Sequence, residues 1–122
     1  MVKVQKDAEK NRLYVTLTGI ISLEAAREAQ SLIQAEVEQL KPDFDLVNDI
    51  SKFIHGDDEA GKILQEIMIF LIKYKVRKII RVVGTSKTGL IQFANYSLPI
   101  EAYRLSYVPT MEEAEKILSQ PD

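Results

Sequence analysis

The chain has 122 residues, 46% of them hydrophobic and 28% charged, which is ordinary globular composition for one domain able to bury a core. A net charge of −2 and a pI near 5.5 make no electrostatic case for nucleic acid or for an acidic membrane surface. The absence of cysteine excludes disulfides, thiolate metal sites and cysteine nucleophiles.

Residues 1–10 are too polar for a signal peptide. The longest unbroken apolar run, 67–72, is far below the ~20 residues of a membrane span. The expectation is a cytoplasmic domain. Val2 and Val4 alternate with charged residues, then residues 7–11 supply turn material. Leu13, Val15 and Leu17 alternate with Tyr14, Thr16 and Thr18, so the chain opens on a β-hairpin. Gly19 marks either a bulge or the end of the second strand.

Ser22 is placed to cap a helix, with Glu24 near its positive end. Ala26, Ala29, Ile33, Val37 and Leu40 make its apolar stripe, and Pro42 stops it. Residues 44–50 are apolar on both parities, as in a strand covered on both faces. A polar bend over 48–59 follows. Asp57 or Asp58 caps a second helix running to about Lys75, with a core stripe of Ala60, Ile63, Leu64, Ile67, Met68, Leu71 and Tyr74. Residues 78–83 (KIIRVV) form a strand ended by Gly84. Thr85, Ser86 or Thr88 caps a short helix carrying Leu90, Ile91, Phe93 and Ala94. A last strand spans 103–108, and Thr110-Met-Glu-Glu113 has capping-box spacing for a terminal helix. The order ββαβαβαβα predicts one α/β domain over 1–122, a mainly parallel mixed sheet with packed helices.

In such a sheet ligands gather beyond the carboxyl ends of the strands. Two loops are expected to meet there, 48–59 and 84–88, offering Asn48, Asp49, Ser51, His55, Asp57, Asp58, Thr85, Ser86, Lys87 and Thr88. His55 beside carboxylates has the makings of an acid–base site, and equally of a solvated histidine beside a helix cap. One His and no Cys leave only an oxygen-rich metal site, and neither metal nor cofactor is expected. Gly84-Thr-Ser-Lys-Thr-Gly89 has the glycine spacing of a phosphate loop, but Leu90 and Ile91 stand where Lys and Ser or Thr are required. A small anion held by backbone N–H groups and Lys87 stays open. On the second helix, Ile69, Ile72 and Val76 form another apolar stripe opposite the core, flanked by Lys62, Glu66 and Lys73. That stripe is either a self-association or partner surface, or is covered by the chain itself.

Asp49-Ile50-Ser51, followed by Phe53 and then Asp57 at a helix start, resembles the central motif of the STAS domain, the fold of bacterial anti-sigma-factor antagonists. Val108-Pro-Thr-Met-Glu-Glu-Ala114 is similar to the family's closing helix. The resemblance covers nearly the whole chain. It implies a non-enzymatic regulatory domain that binds a protein, such as a kinase-like anti-sigma factor, through Asn48, Asp49, Ser51, Phe53, His55, Asp57, Asp58 and Glu59. The family's phosphorylated serine pair falls on Asp58 and Glu59 and its glycine on Ala60. Without a hydroxyl there, the usual phosphorylation switch is not expected. The alternative is a small-molecule or anion binder using both loops, with Ser86 and Lys87. Phe53 and Ile54 separate the two: outward they make a partner surface, inward they line a pocket.

Overall fold

The computed structural model describes residues 1–85 and 105–120. The opening hairpin consists of β1 (Val2–Asp7) and β2 (Arg12–Ile21), antiparallel from Val2 opposite Leu17 to Asp7 opposite Arg12. Asn11 closes its turn at φ 55, a left-handed conformation that asparagine tolerates. Its side chain also reaches across to Lys41, accepting from Lys41 N at 2.9 Å and donating to Lys41 O at 3.2 Å.

Helix α1 (Leu23–Val37) leads to β3 (Asp45–Gly56), and α2 (Asp58–Lys73) to β4 (Ile79–Val82). Strand β5 (Leu105–Val108) and helix α3 (Met111–Ser119) follow. The five strands lie in the order β1-β2-β3-β4-β5, and every neighbouring pair after the hairpin is parallel. Because each crossover steps the same way along the sheet, right-handed connections put α1 and α2 on one face. Their stripes Ala26, Ala29, Ile33 and Val37, and Ala60, Leu64, Ile67 and Leu71, pack there against Leu13, Val15, Leu17, Leu46 and Ile79. Alternation sends Val47, Ile80, Val82 and Val108 to the other face, where Ala114 and Leu118 of α3 cover them.

Ser22 and Thr110 cap α1 and α3 through their side-chain oxygens, accepting from Ala25 N at 3.1 Å and Glu113 N at 3.2 Å. Asp57 holds the N-cap position of α2 but makes no side-chain cap bond. Glu115 ties α3 to the sheet, accepting from Arg12 Nη1 at 2.7 Å and from the Tyr14 hydroxyl at 2.8 Å. Burial raises the pKa of the Tyr14 phenol; Arg12 opposes the rise and Glu115 adds to it. Buried Asp45 is held by a two-pronged pair with Arg77, at 2.9 and 2.7 Å.

Several expectations change. Strand β3 runs on to Gly56, so most of the supposed bend over 48–59 is strand. It continues because β2 continues beside it, through two register shifts, one of them between Gly19 and Ile20. Gly19, at φ 75, therefore sits at a bulge rather than at the end of its strand. Tyr74, assigned to the core stripe, is the α2 C-cap, 43% exposed, its ring 4.4 Å from that of Phe70. Val76 lies past the end of α2, fully buried in the main core, so it cannot belong to a surface stripe. Its N–H bonds to Leu71 O at 3.0 Å, turning the chain back toward β4. Ile72 is half-buried against the core, which leaves Ile69 as the exposed member. The last strand is described from Leu105; residues 103–104 of its expected span, and the expected helix over Leu90, Ile91, Phe93 and Ala94, fall outside the described residues. Among the described residues, no helix is long and apolar enough to cross a membrane.

Candidate functional site

The carboxyl ends of β2, β3 and β4 share one pole of the domain, because parallel strands finish on the same side. Ile21 O accepts a 3.3 Å bond from Asp57 N, which fixes the start of α2 beside the end of β2. Ile20 pairs with His55 across the strands. On β3 the side chains divide. Asn48 is buried and its amide donates to Val15 O at 3.0 Å, so it braces two strands rather than facing solvent. Phe53 is likewise buried in the core. Both were expected as contact residues; Asn48 turns inward within the expected strand, and Phe53 does so in its unforeseen continuation.

Ile54 and Ile20 point out instead, 59% and 65% exposed. His55, Asp57, Asp58 and Glu59 are exposed around them, with Lys52 alongside. Asp49 and Ser51 are half-buried and engaged with each other: the Ser51 hydroxyl and N–H both donate to Asp49 Oδ1, at 2.6 and 3.0 Å. Gly84, at φ 58, lies against Ser51, and a Cβ there would come within 3.0 Å of the serine Cβ. Of the other expected loop, Gly84 and Thr85 are described; Ser86, Lys87 and Thr88 lie outside the described residues. No three His, Asp or Glu side chains gather as metal ligands do, among the described residues.

The surface of this pole follows from the strand order. A crevice forms at the carboxyl ends where the order reverses, and among the described strands β1-β2-β3-β4-β5 contains no reversal. A cavity among the described residues lies elsewhere, between the sheet and the α1–α2 layer. It has about 30 Å³ open to the centres of water-sized molecules, room for a water or two. Met68, Leu71, Val15 and Leu46 line it together with Asn48 and Arg81. Arg81 is the largest fully buried side chain among the described residues, its Nη1 donating to the Tyr107 hydroxyl at 3.2 Å and its guanidinium carbon 5.8 Å from the Tyr107 ring centre. Burial lowers its pKa; Tyr107 opposes the fall. Sequence reasoning passed over Arg81, although a charge inside KIIRVV was a signal of a buried, partnered cation. The Arg12–Tyr14–Glu115 contact, a hundred residues apart in sequence, left no such signal.

Solved structures share this arrangement of elements from end to end. SpoIIAA, an anti-sigma factor antagonist, in its unphosphorylated form superposes with a TM-score of 0.69 at 10% identity, over 98% of this chain and 100% of its own. The fold is STAS-like. An uncharacterised protein with a SpoIIAA-like fold from Shewanella loihica gives 0.72 at 10% identity, over 97% of this chain and 92% of its own. An anti-sigma factor antagonist from Mycobacterium paratuberculosis gives 0.62 at 19% identity, over 98% and 94%. In sequence the chain matches no family model and no curated protein. At such identities the STAS-like likeness speaks for the fold.

Proposed function

We propose that this STAS-like domain is a non-enzymatic regulatory module that works by binding another protein through the pole where β2 and β3 end and α2 begins. The observation that carries the reading is the exposed pair Ile20 and Ile54, set among Asp57, Asp58, Glu59 and His55 at a pole where the described strands show no reversal of order. Apolar centre and charged rim are the anatomy of a contact patch. The likeness to anti-sigma factor antagonists supports a protein partner, and a kinase-like anti-sigma factor of a bacterial cytoplasm is the class we expect.

Asp58 and Glu59 stand where that family's motif has its serine pair, so the contact we propose is not switched by phosphorylation there. Each carboxylate carries about one charge, against about 1.5 to 2 for a phosphate, and both favour the positive end of α2. A ligand-binding role draws less support, since Phe53 turns into the core rather than toward a pocket at this pole.

The test is retention of a partner from extracts of the source cells by immobilised protein. Ile54→Asp and Asp58→Lys should each lose the partner by tenfold or more, while Ile69→Asp, on the outer side of α2, should retain it. Equal retention by all four proteins would overturn the reading.

A further inference from the structure

A second surface lies at the opposite pole, where α2 ends. Tyr74 is exposed there over Phe70, beside Lys73, Lys75 and Lys41, all exposed. The chain holds these cations together by its backbone: Lys75, at φ 64, accepts from Asp43 N at 2.8 Å, which draws the turn after Lys41 alongside the end of α2. None of the three lysines is in an ion pair among the described residues. Of the nearby acids, Asp45 is taken by Arg77, while Asp43 and Glu38 are exposed. The patch is therefore an aromatic centre in a basic rim, on a chain of net negative charge.

The Ile20–Ile54 ridge is its complement: an apolar centre whose rim carries three exposed carboxylates, Asp57, Asp58 and Glu59, against one lysine, Lys52. The two patches cannot satisfy each other within one molecule. The 16 residues of α2 put its ends about 24 Å apart, roughly three screening lengths at physiological salt. A second copy satisfies both, and brings the negative end of one α2 macrodipole toward the positive end of the next.

We propose that the occupant of the Ile20–Ile54 ridge is the Tyr74 patch of a second copy, docked head to tail. The proposal rests on the reading of that ridge as a protein contact, and adds a regulatory consequence: a foreign partner would compete with self-association for one surface. Such a contact is heterologous, so it continues into short open chains unless its rotation closes a ring.

Two charge-reversed variants test it by sedimentation velocity across a concentration series. One is Asp58→Lys with Glu59→Lys; the other is Lys73→Glu with Lys75→Glu. The expected result is a wild type whose average mass rises with concentration at low salt and falls at high salt. Each variant alone should associate at least tenfold more weakly, and an equimolar mixture should regain assembly, because each reversed pole then meets an opposite one. Thermal melts of both variants guard against unfolding, which the restored assembly of the mixture would also exclude. A wild type that stays monomeric at every concentration, variants that associate as well as wild type, or a mixture that stays monomeric would each overturn the proposal. A monomeric wild type that still retains a foreign partner, lost on Asp58→Lys, would end the self-association alone and leave the partner reading standing.

Discussion

Gly84, just past the end of β4, lies against Ser51 of β3 and leaves little room for a side chain of its own. Gly84 takes a left-handed φ of 58, and any Cβ added there meets the Ser51 Cβ at 3.0 Å. Gly84→Ala should therefore lower stability by about 1–2 kcal/mol from the backbone conformation alone, read from urea unfolding. Gly19 is also left-handed but has open space around it, so Gly19→Ala should cost only the conformational part. Tyr14 makes a second prediction. Its phenol pKa is raised by burial, so the folded state holds that proton more tightly than the unfolded chain. This contribution is full below the unfolded value of about 10 and is lost as the pH rises through the higher folded value. Unfolding free energy should fall more steeply in the wild type than in Tyr14→Phe as the pH climbs from about 10 toward that folded value. At this scale the sequence was only partly legible. Asp58 and Glu59 stand exposed at a helix start as expected, while Asn48 and Phe53 turned inward because the side on which a strand residue points depends on where the strand ends and bulges.

Helices read well and strand lengths less well, for a physical reason. The stripes Ala26-Ala29-Ile33-Val37 and Ala60-Leu64-Ile67-Leu71 repeat at the helical period, and that period is set locally. Strand β3 was cut short at Ile50 because Ser51, Lys52 and His55 look like a bend; pairing with β2 overrides that composition. Caps can be ranked by the same logic. Ser22→Ala and Thr110→Ala each remove a side-chain acceptor from a helix start and should cost about 0.5–2 kcal/mol. Asp57→Ala removes no such bond and should cost less than either. The α1–α2 layer already borders a cavity, so Leu71→Ala, which enlarges it, should cost about 2–5 kcal/mol in the same unfolding assay.

For the whole molecule, a mainly parallel mixed sheet with packed helices was expected from the alternation of elements, and the STAS-like likeness extends over nearly the full chain; that α1 and α2 share one face and α3 takes the other is what the structure adds. What alternation could not give was the strand order, and with it the absence of a crevice among the described strands. That absence moves the weight of the reading from a ligand pocket to a surface built on Ile20 and Ile54. The stripe expected on the outside of α2 dissolved for a related reason: Val76 lies in the turn back to β4 and serves the core. Native mass spectrometry of the gently purified protein, alongside Ile54→Asp, tests the central claim most directly. The account predicts a bound polypeptide, foreign or a second copy, on the wild type and not on the variant. A stoichiometric small molecule retained by both, with no polypeptide bound to either, would contradict it.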